Sequence, residues 1–241
     1  MKNDAKAICF SLSWLKANWF LLCLLFICTF SAGCTEGYKR ENGRWLWVSW
    51  DEAAGKRVVI IDTIDAANFH PLSDPAYAAD NNCVYHRSMI IKNADPRTFR
   101  PIAKYYWRDA KRVFFVDSEI IGADPETFRP LSKYPWARDN HDVYTGTTAM
   151  HVQDISTFTL LQGVWAKDSK AYYANSGLLD YMTVPCDNKS FTVLNDSYAK
   201  DKVRGYWQGI PIEGSDGPTF EANSEFLAKD KNRSYSGSNK Q

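Results

Sequence analysis

The chain has 241 residues, 45% hydrophobic and 15% aromatic, with 29 basic and 28 acidic side chains and a formal charge of +1. So even a balance of mixed signs leaves no electrostatic footprint for nucleic acid. Helical periodicity and the long Ala, Leu and Glu runs that helices favour are also missing, which argues against an α-helical build.

Residues 1–33 stand apart from the rest. Lys2, Lys6 and Lys16 precede an apolar run from Trp19 to Ala32, and Ser-Ala-Gly-Cys follows at 31–34. A basic start, an apolar stretch and small residues before a Cys describe a secretory signal. The run is shorter than the ~20 residues of a spanning helix. Its end resembles the lipobox of bacterial lipoproteins, with Ser31 where a Leu is usual. That resemblance implies cleavage before Cys34 and lipidation of its thiol; plain secretion and an uncleaved anchor are the alternatives. Without the segment's three Lys and one Asp, 26 basic and 27 acidic side chains remain. Residues 34–44 read as a short polar tether to the lipid. Thr35 is not the Asp that, by resemblance to the lipoprotein sorting rule, favours the inner membrane, so an outer-membrane location is expected.

From residue 45 to 235 the chain repeats. Asp51, Asp80, Asp109, Asp139, Asp168, Asp201 and Asp230 are separated by 29, 29, 30, 29, 33 and 29 residues. Such a period signals a repeat architecture in which each unit buries its apolar face only against its neighbours. Three residues before each marker stand Val48, Tyr77, Tyr106, Trp136, Trp165, Tyr198 and Leu227. Five residues after it, from the second repeat on, come Tyr85, Phe114, Tyr144, Tyr173, Tyr206 and Tyr235. The polar residues and glycines between them suit a tight turn, so each pair reads as a β-hairpin. The aromatic at −3 and the basic residue at −1 share a face, which leaves the buried side of that strand open.

A second marker recurs in the other half of each repeat: Asp65, Asp95, Asp124, Asp154, Asp187 and Asp216. Each is followed four residues later by Phe69, Phe99, Phe128, Phe158, Phe191 or Phe220. Pro96 and Pro125 preset the turns after Asp95 and Asp124, and the Asp carboxylate can cap nearby backbone N–H groups. The turn therefore aims each Phe in a fixed direction, as a core column requires. Ile61, Ile91, Ile120, Met150 and Ile212 precede this Asp by four residues. Extra residues at 181–186 break the pattern in the fifth repeat. Three short strands and two turns per unit are expected. The fold reads as all-β, an open solenoid-like array of seven repeats, the last incomplete, with a closed propeller-like ring as the alternative. Residues 236–241 read as a polar tail.

Lys-Asp-Lys-Asn at 229–232, Tyr-Ala-Lys-Asp-Lys at 198–202 and Ala-Asp-Pro-Glu-Thr-Phe at 123–128 resemble the signature of the DKNYY repeat family. The resemblance covers nearly all of residues 45–235. It implies an exported or lipid-anchored envelope protein and supplies no catalytic set to carry over.

Other chemistry is weakly signalled. Trp45, Trp47, Trp50, Trp107 and Trp207 lie outside the columns and are candidates for a binding surface, although packing is the commoner role. Calcium needs six to eight converging oxygens, and only Asp139-Asn-His-Asp142 gathers several. His70, His86, His141 and His151 occupy different phases; His141 and His151 could meet across one hairpin, but without further metal ligands at a recognisable spacing. Cys83 and Cys186 are three repeats apart, too far for a disulfide in an open stack. Phosphate-loop, nucleophile-elbow and zinc-protease motifs are absent. The expectation is a monomeric, non-enzymatic scaffold without cofactor, lipid-anchored and presenting a face to an unknown protein or polysaccharide. The alternative is an envelope hydrolase or carbohydrate-binding module with a pocket near 181–186.

Overall fold

The computed structural model describes residues 36–62, 65–175 and 181–240. These form seven small antiparallel sheets in chain order, the first of three strands and the other six of four. In every sheet each strand pairs with its neighbour in sequence, and none closes on itself. Two single 3-10 turns, Ile155–Thr157 and Gly217–Thr219, are the only helical segments among the described residues.

The fourth sheet shows the unit. Its strands are Arg129–Pro130, Trp136–Arg138, Val143–Thr145 and Thr148–Ala149. The unit has four strands where three were expected, because the residues just after the Phe also pair. A two-residue strand containing Pro130 offers no alternation to read and one donor fewer.

Cross-strand register explains the composition. Ala137 lies opposite Tyr144, as Ala78 lies opposite Tyr85 and Ala199 opposite Tyr206. Directly opposed residues share a face, so a large ring from +5 lies beside a methyl group from −2. The aromatic at −3 and the residue at +4 occupy the other face. Both faces are buried because the sheets stack face to face, ~10 Å apart in typical packings. Tyr77 and Ala78, adjacent in one strand, are therefore 3% and 0% exposed. Ala79, the −1 residue of that strand, is buried too, whereas basic −1 residues of other repeats reach for the next unit: Arg108 donates to the Pro125 carbonyl, and Lys200 Nζ to that of Phe220 at 3.0 Å.

Six cores fill the six interfaces. Between the third and fourth sheets, Tyr106, Val113 and Ile120 meet Phe128, Ala137 and Tyr144. Between the last two, Tyr198 and Ile212 meet Phe220, Ala228 and Tyr235. Each Phe is a wedge between layers: the Phe128 ring is 5.3 Å from Tyr106 and 5.6 Å from Tyr144. Phe69, Phe128, Phe158, Phe191 and Phe220 are buried, while Phe99 is half-buried and stacks on Trp107 at 5.0 Å. Burying such a ring stabilises by ~1.5–3 kcal/mol. In the fifth repeat Val184 takes the aliphatic place, and its N–H bonds Tyr172 as that of Ile91 bonds Val84. Among the described residues, hydrogen bonds leaving a sheet reach only the next one, as from Tyr77 to the Val116 carbonyl or from Tyr106 to that of Pro135. The array is open.

Both ends differ from expectation. Gly37–Glu41, inside the supposed tether 34–44, is a strand paired with Arg44–Asp51. The turn between them is Asn42-Gly43, with φ of 50° and 79°. Asn-Gly suits a two-residue hairpin because both residues tolerate positive φ. The supposed tail also folds: Asn239–Lys240 pairs with Ser234–Ser236, completing four strands in the seventh sheet. The signal segment 1–33 and Cys34 lie outside the described residues.

Candidate functional site

The marker Asp is the hub of each four-stranded unit, whereas Asp51 of the first sheet accepts only the N–H groups of Ala53 and Ala54 in its own turn. Oδ1 of Asp139 accepts the N–H groups of His141 and Asp142 at 2.7 and 2.8 Å, closing the hairpin turn. Its Oδ2 accepts the Tyr144 hydroxyl at 2.8 Å and the N–H of Asp124 at 2.8 Å. Asp80, Asp168, Asp201 and Asp230 do the same with Tyr85, Tyr173, Tyr206 and Tyr235. In Asp80, Asp168, Asp201 and Asp230 the donors favour the ionised carboxylate. Burial pushes the pKa of Asp80, Asp168 and Asp201 up, but these hydrogen bonds outweigh it and each titrates below the ordinary range. Asp230 falls to about 2 by the same balance. The tyrosines move the other way: burial, then the bonded carboxylate, raises Tyr173 and Tyr235 to about 12.

The second marker ties the halves together. The Thr127 hydroxyl donates to Asp124 Oδ2 at 2.5 Å and accepts the Asn140 N–H at 3.2 Å. Thr98 and Asp95, and Ser190 and Asp187, repeat the relay. Asp154 instead caps the 3-10 turn through the Ser156 N–H and also accepts the Ser169 hydroxyl. Asp95, Asp124 and Asp154, with Pro96 and Pro125, are thus turn-builders, and their carboxylates face donors of the chain itself.

The Asp139–Asp142 turn spends its oxygens in the same way. Asp142 accepts the His151 N–H at 3.0 Å and lies 2.9 Å from His151 Nδ1. His151 thus meets Asp142, while His141 contributes its backbone N–H to the turn. Among the described residues, no group of three His, Cys, Asp or Glu side chains converges to hold a metal ion. Cys83 and Cys186 are free thiols in different cores. Burial raises both pKa values, that of Cys186 to about 12, so neither is poised as a nucleophile at neutral pH.

The tryptophans divide. Trp47 and Trp107 are buried, at 4% and 2% exposure, and so belong to cores and not to a surface. Trp45 is half-buried with its Nε1 on the Ala66 carbonyl, Trp207 is half-buried against the last core, and Trp50 is exposed. Tyr181, Met182, Val184 and Cys186 of the fifth-repeat insertion all pack into cores.

An open aromatic cleft lies elsewhere, between the first turns of the third and fourth sheets. It has a volume of about 420 Å³ and is lined by Lys104, Tyr105, Pro130, Leu131, Tyr134 and Trp136 among others. Tyr105 and Tyr134 are 39% and 52% exposed, with ring centroids 5.0 Å apart. Lys104 Nζ sits 4.8 Å from the Tyr105 centroid, a cation–π contact. Tyr134 also stacks on Phe115 at 6.0 Å. Tyr105 has φ of 70° and Val116 has φ of 59°, joined by a 2.7 Å bond from the Val116 N–H to the Tyr105 carbonyl. The positive φ of Val116 recurs at the same place in other repeats, at Arg87, Gly146, Gln208 and Gly237, and so belongs to the turn of the repeat; that of Tyr105 is costly for such a side chain, about 1–3 kcal/mol. The cleft carries an apolar floor, the ammonium group of Lys104 and the rings of Tyr105, Tyr106 and Tyr134, the Tyr106 hydroxyl being bonded to the Pro135 carbonyl. The Ser132 hydroxyl also lines it. Lys-Tyr at 104–105 and again at 133–134, 29 residues apart, is the sequence signal that marks it.

A model of the DKNYY family matches the chain over residues 25–119 and, overlapping, 106–239. No curated protein and no solved structure matches it.

Proposed function

Because the chain belongs to the DKNYY family over most of its length, we propose that it is a non-enzymatic repeat scaffold of the cell envelope. It is lipid-anchored through Cys34, in the outer membrane, and holds an extended protein or polysaccharide partner. The carrying observation is the Tyr105–Tyr134 cleft. The array hides most of its rings between sheets and saturates its buried carboxylates with its own donors, whereas these two tyrosines are held out as a pair beside Lys104; Trp50 and Phe226 carry the other exposed Phe, Tyr or Trp rings among the described residues. Repeat arrays suit such a role because their long surfaces accept extended partners. Exposed aromatic rings stack on sugar or peptide faces, and the lysine favours a partner bearing negative charge.

A photoreactive residue placed at Ser132, on the rim of the cleft, tests this in living cells. It should give a discrete cross-linked adduct that disappears with Tyr105→Ser and Tyr134→Ser, while the same group at Lys92 gives none. Identical patterns from both positions would reject the cleft as a docking site.

A further inference from the structure

The two ends of the array are built for different surroundings. At the far end, register puts Leu227 with Ser236 and Lys229 with Ser234 on the outer face of the last sheet. That face is mostly polar, as a cap against water should be. At the near end, Tyr38, Trp45, Trp47 and Ile61 of the first sheet pack on the second. The opposite face of the first sheet carries Leu46, Val48 and Trp50 on the central strand, paired with Ile60, Val58 and Lys56 on the edge strand. None of its five apolar residues belongs to any of the six described cores. Trp50, Val58 and Ile60 are 50%, 49% and 52% exposed and form its open part, whereas Leu46 and Val48 between them are already buried, at 9% and 2%.

The point of chain entry indicates what covers this face. Gly37 pairs with Val48, which pairs with Val58, so the chain enters the sheet in the row that carries two of these apolar side chains. Cys34 stands three residues earlier, within ~11 Å even if the chain is fully extended. Lys39, opposite Leu46, and Lys56, opposite Trp50, add two ammonium groups to the same face. A Trp, aliphatic side chains and lysines on one surface match the headgroup boundary of a bilayer: the ring and aliphatics enter, and the lysines meet anionic phosphates.

We propose that the outer face of the first sheet docks on the surface of the membrane that holds the Cys34 lipid, so that the array stands end-on from the bilayer. This rests on the lipid anchor of the proposed function. The Tyr105–Tyr134 cleft then faces outward some two to three layers above the lipid, ~20–30 Å at ordinary sheet spacing.

The test uses the full processed chain, reconstituted in vesicles of phosphatidylethanolamine and phosphatidylglycerol. One fluorophore is carried at Val58→Cys or, for comparison, at Ser236→Cys, with Cys83 and Cys186 replaced by Ala and folding checked by thermal melting. A lipid-borne nitroxide should quench the label at position 58 severalfold more than that at 236. Trp50→Ser with Ile60→Ser should bring the two together. Equal weak quenching overturns the docking, and so does a label at 58 shielded from both lipid and water quenchers only at high protein density, which would mark a second copy as the occupant. The mass of the N-terminal peptide separates the two readings. Acyl chains with equal quenching overturn the docking alone, whereas an unmodified Cys34 on protein that does not float with vesicles overturns the anchor as well.

Discussion

The Tyr206 hydroxyl donates to Asp201 Oδ2 at 2.6 Å, and the same oxygen accepts the N–H of Asp187 at 2.9 Å. One carboxylate oxygen thus joins the third strand of a sheet to the turn that opens it. Tyr206→Phe removes a charge-assisted bond while keeping the ring, at an expected cost of ~1.5–3 kcal/mol. Asp201→Ala strands four donors and should cost more. Thermal melting would show this as two falls in Tm, the second larger; equal falls would mean that the hydroxyl alone carries the hub.

The third repeat lacks this bond naturally. Asp109 is 1% exposed and receives the N–H groups of Lys111, Arg112 and Asp95, but the residue five positions on is Phe114. Arg112 Nη1 stands 4.0 Å from Asp109 Oδ2 and supplies charge where the other repeats supply a hydroxyl. Phe114→Tyr should therefore raise Tm, by the equivalent of ~0.5–1.5 kcal/mol. A lower Tm would show that Trp107, on the same face, has closed the space for the oxygen.

Stability should be flat near neutrality and fall on both sides. Asp80, Asp168, Asp201 and Asp230 have depressed pKa values in the folded chain, so their contribution is present above the ordinary carboxylate value of 3.8 and is lost as pH falls, down to about 2 for Asp230. Tyr173 and Tyr235 are raised from 10.0 to about 12, so their contribution is full below 10 and is lost as pH rises towards 12. Tm measured across this range in constant salt should trace a plateau with two flanks. A maximum in the acid region would contradict the hub.

Gly205 holds the place that Val84, Val113 and Val143 occupy in other sheets. A Cβ there would lie 2.5 Å from the Phe220 ring, which is fully buried. Gly205→Ala should cost ~1–3 kcal/mol by overpacking. The loss should shrink when Phe220→Leu is added, giving a coupling of ~0.5–3 kcal/mol in a double-mutant cycle. Additive losses would place the strain elsewhere.

The period, the marker turns and the all-β class were legible because every unit must present the same two faces to its neighbours. The Asp-to-Tyr spacing read as two arms of a hairpin, and the bond between them did not, since position five beyond the turn fixes a face and not a hydroxyl's partner. The burial of Tyr77 and Ala78 together was illegible too, because period-two reasoning assumes one wet side. Tyr105 and Tyr134 were missed for a related cause: they sit four and five residues before their markers, so a fixed-phase search separates them. Asn42-Gly43 was a plain hairpin signal that the polar composition around it concealed.

The last four interfaces are made by the same pair of surfaces, the −3 side of one sheet against the Phe, Ala and Tyr side of the next. A unit in that part of the array is therefore seated by shape common to its neighbours and not by a partner unique to its position. An in-frame duplication or deletion there would leave a chain whose layers still close on one another. The gene can change the reach of its product by recombination within itself, while the end sheets stay as they are.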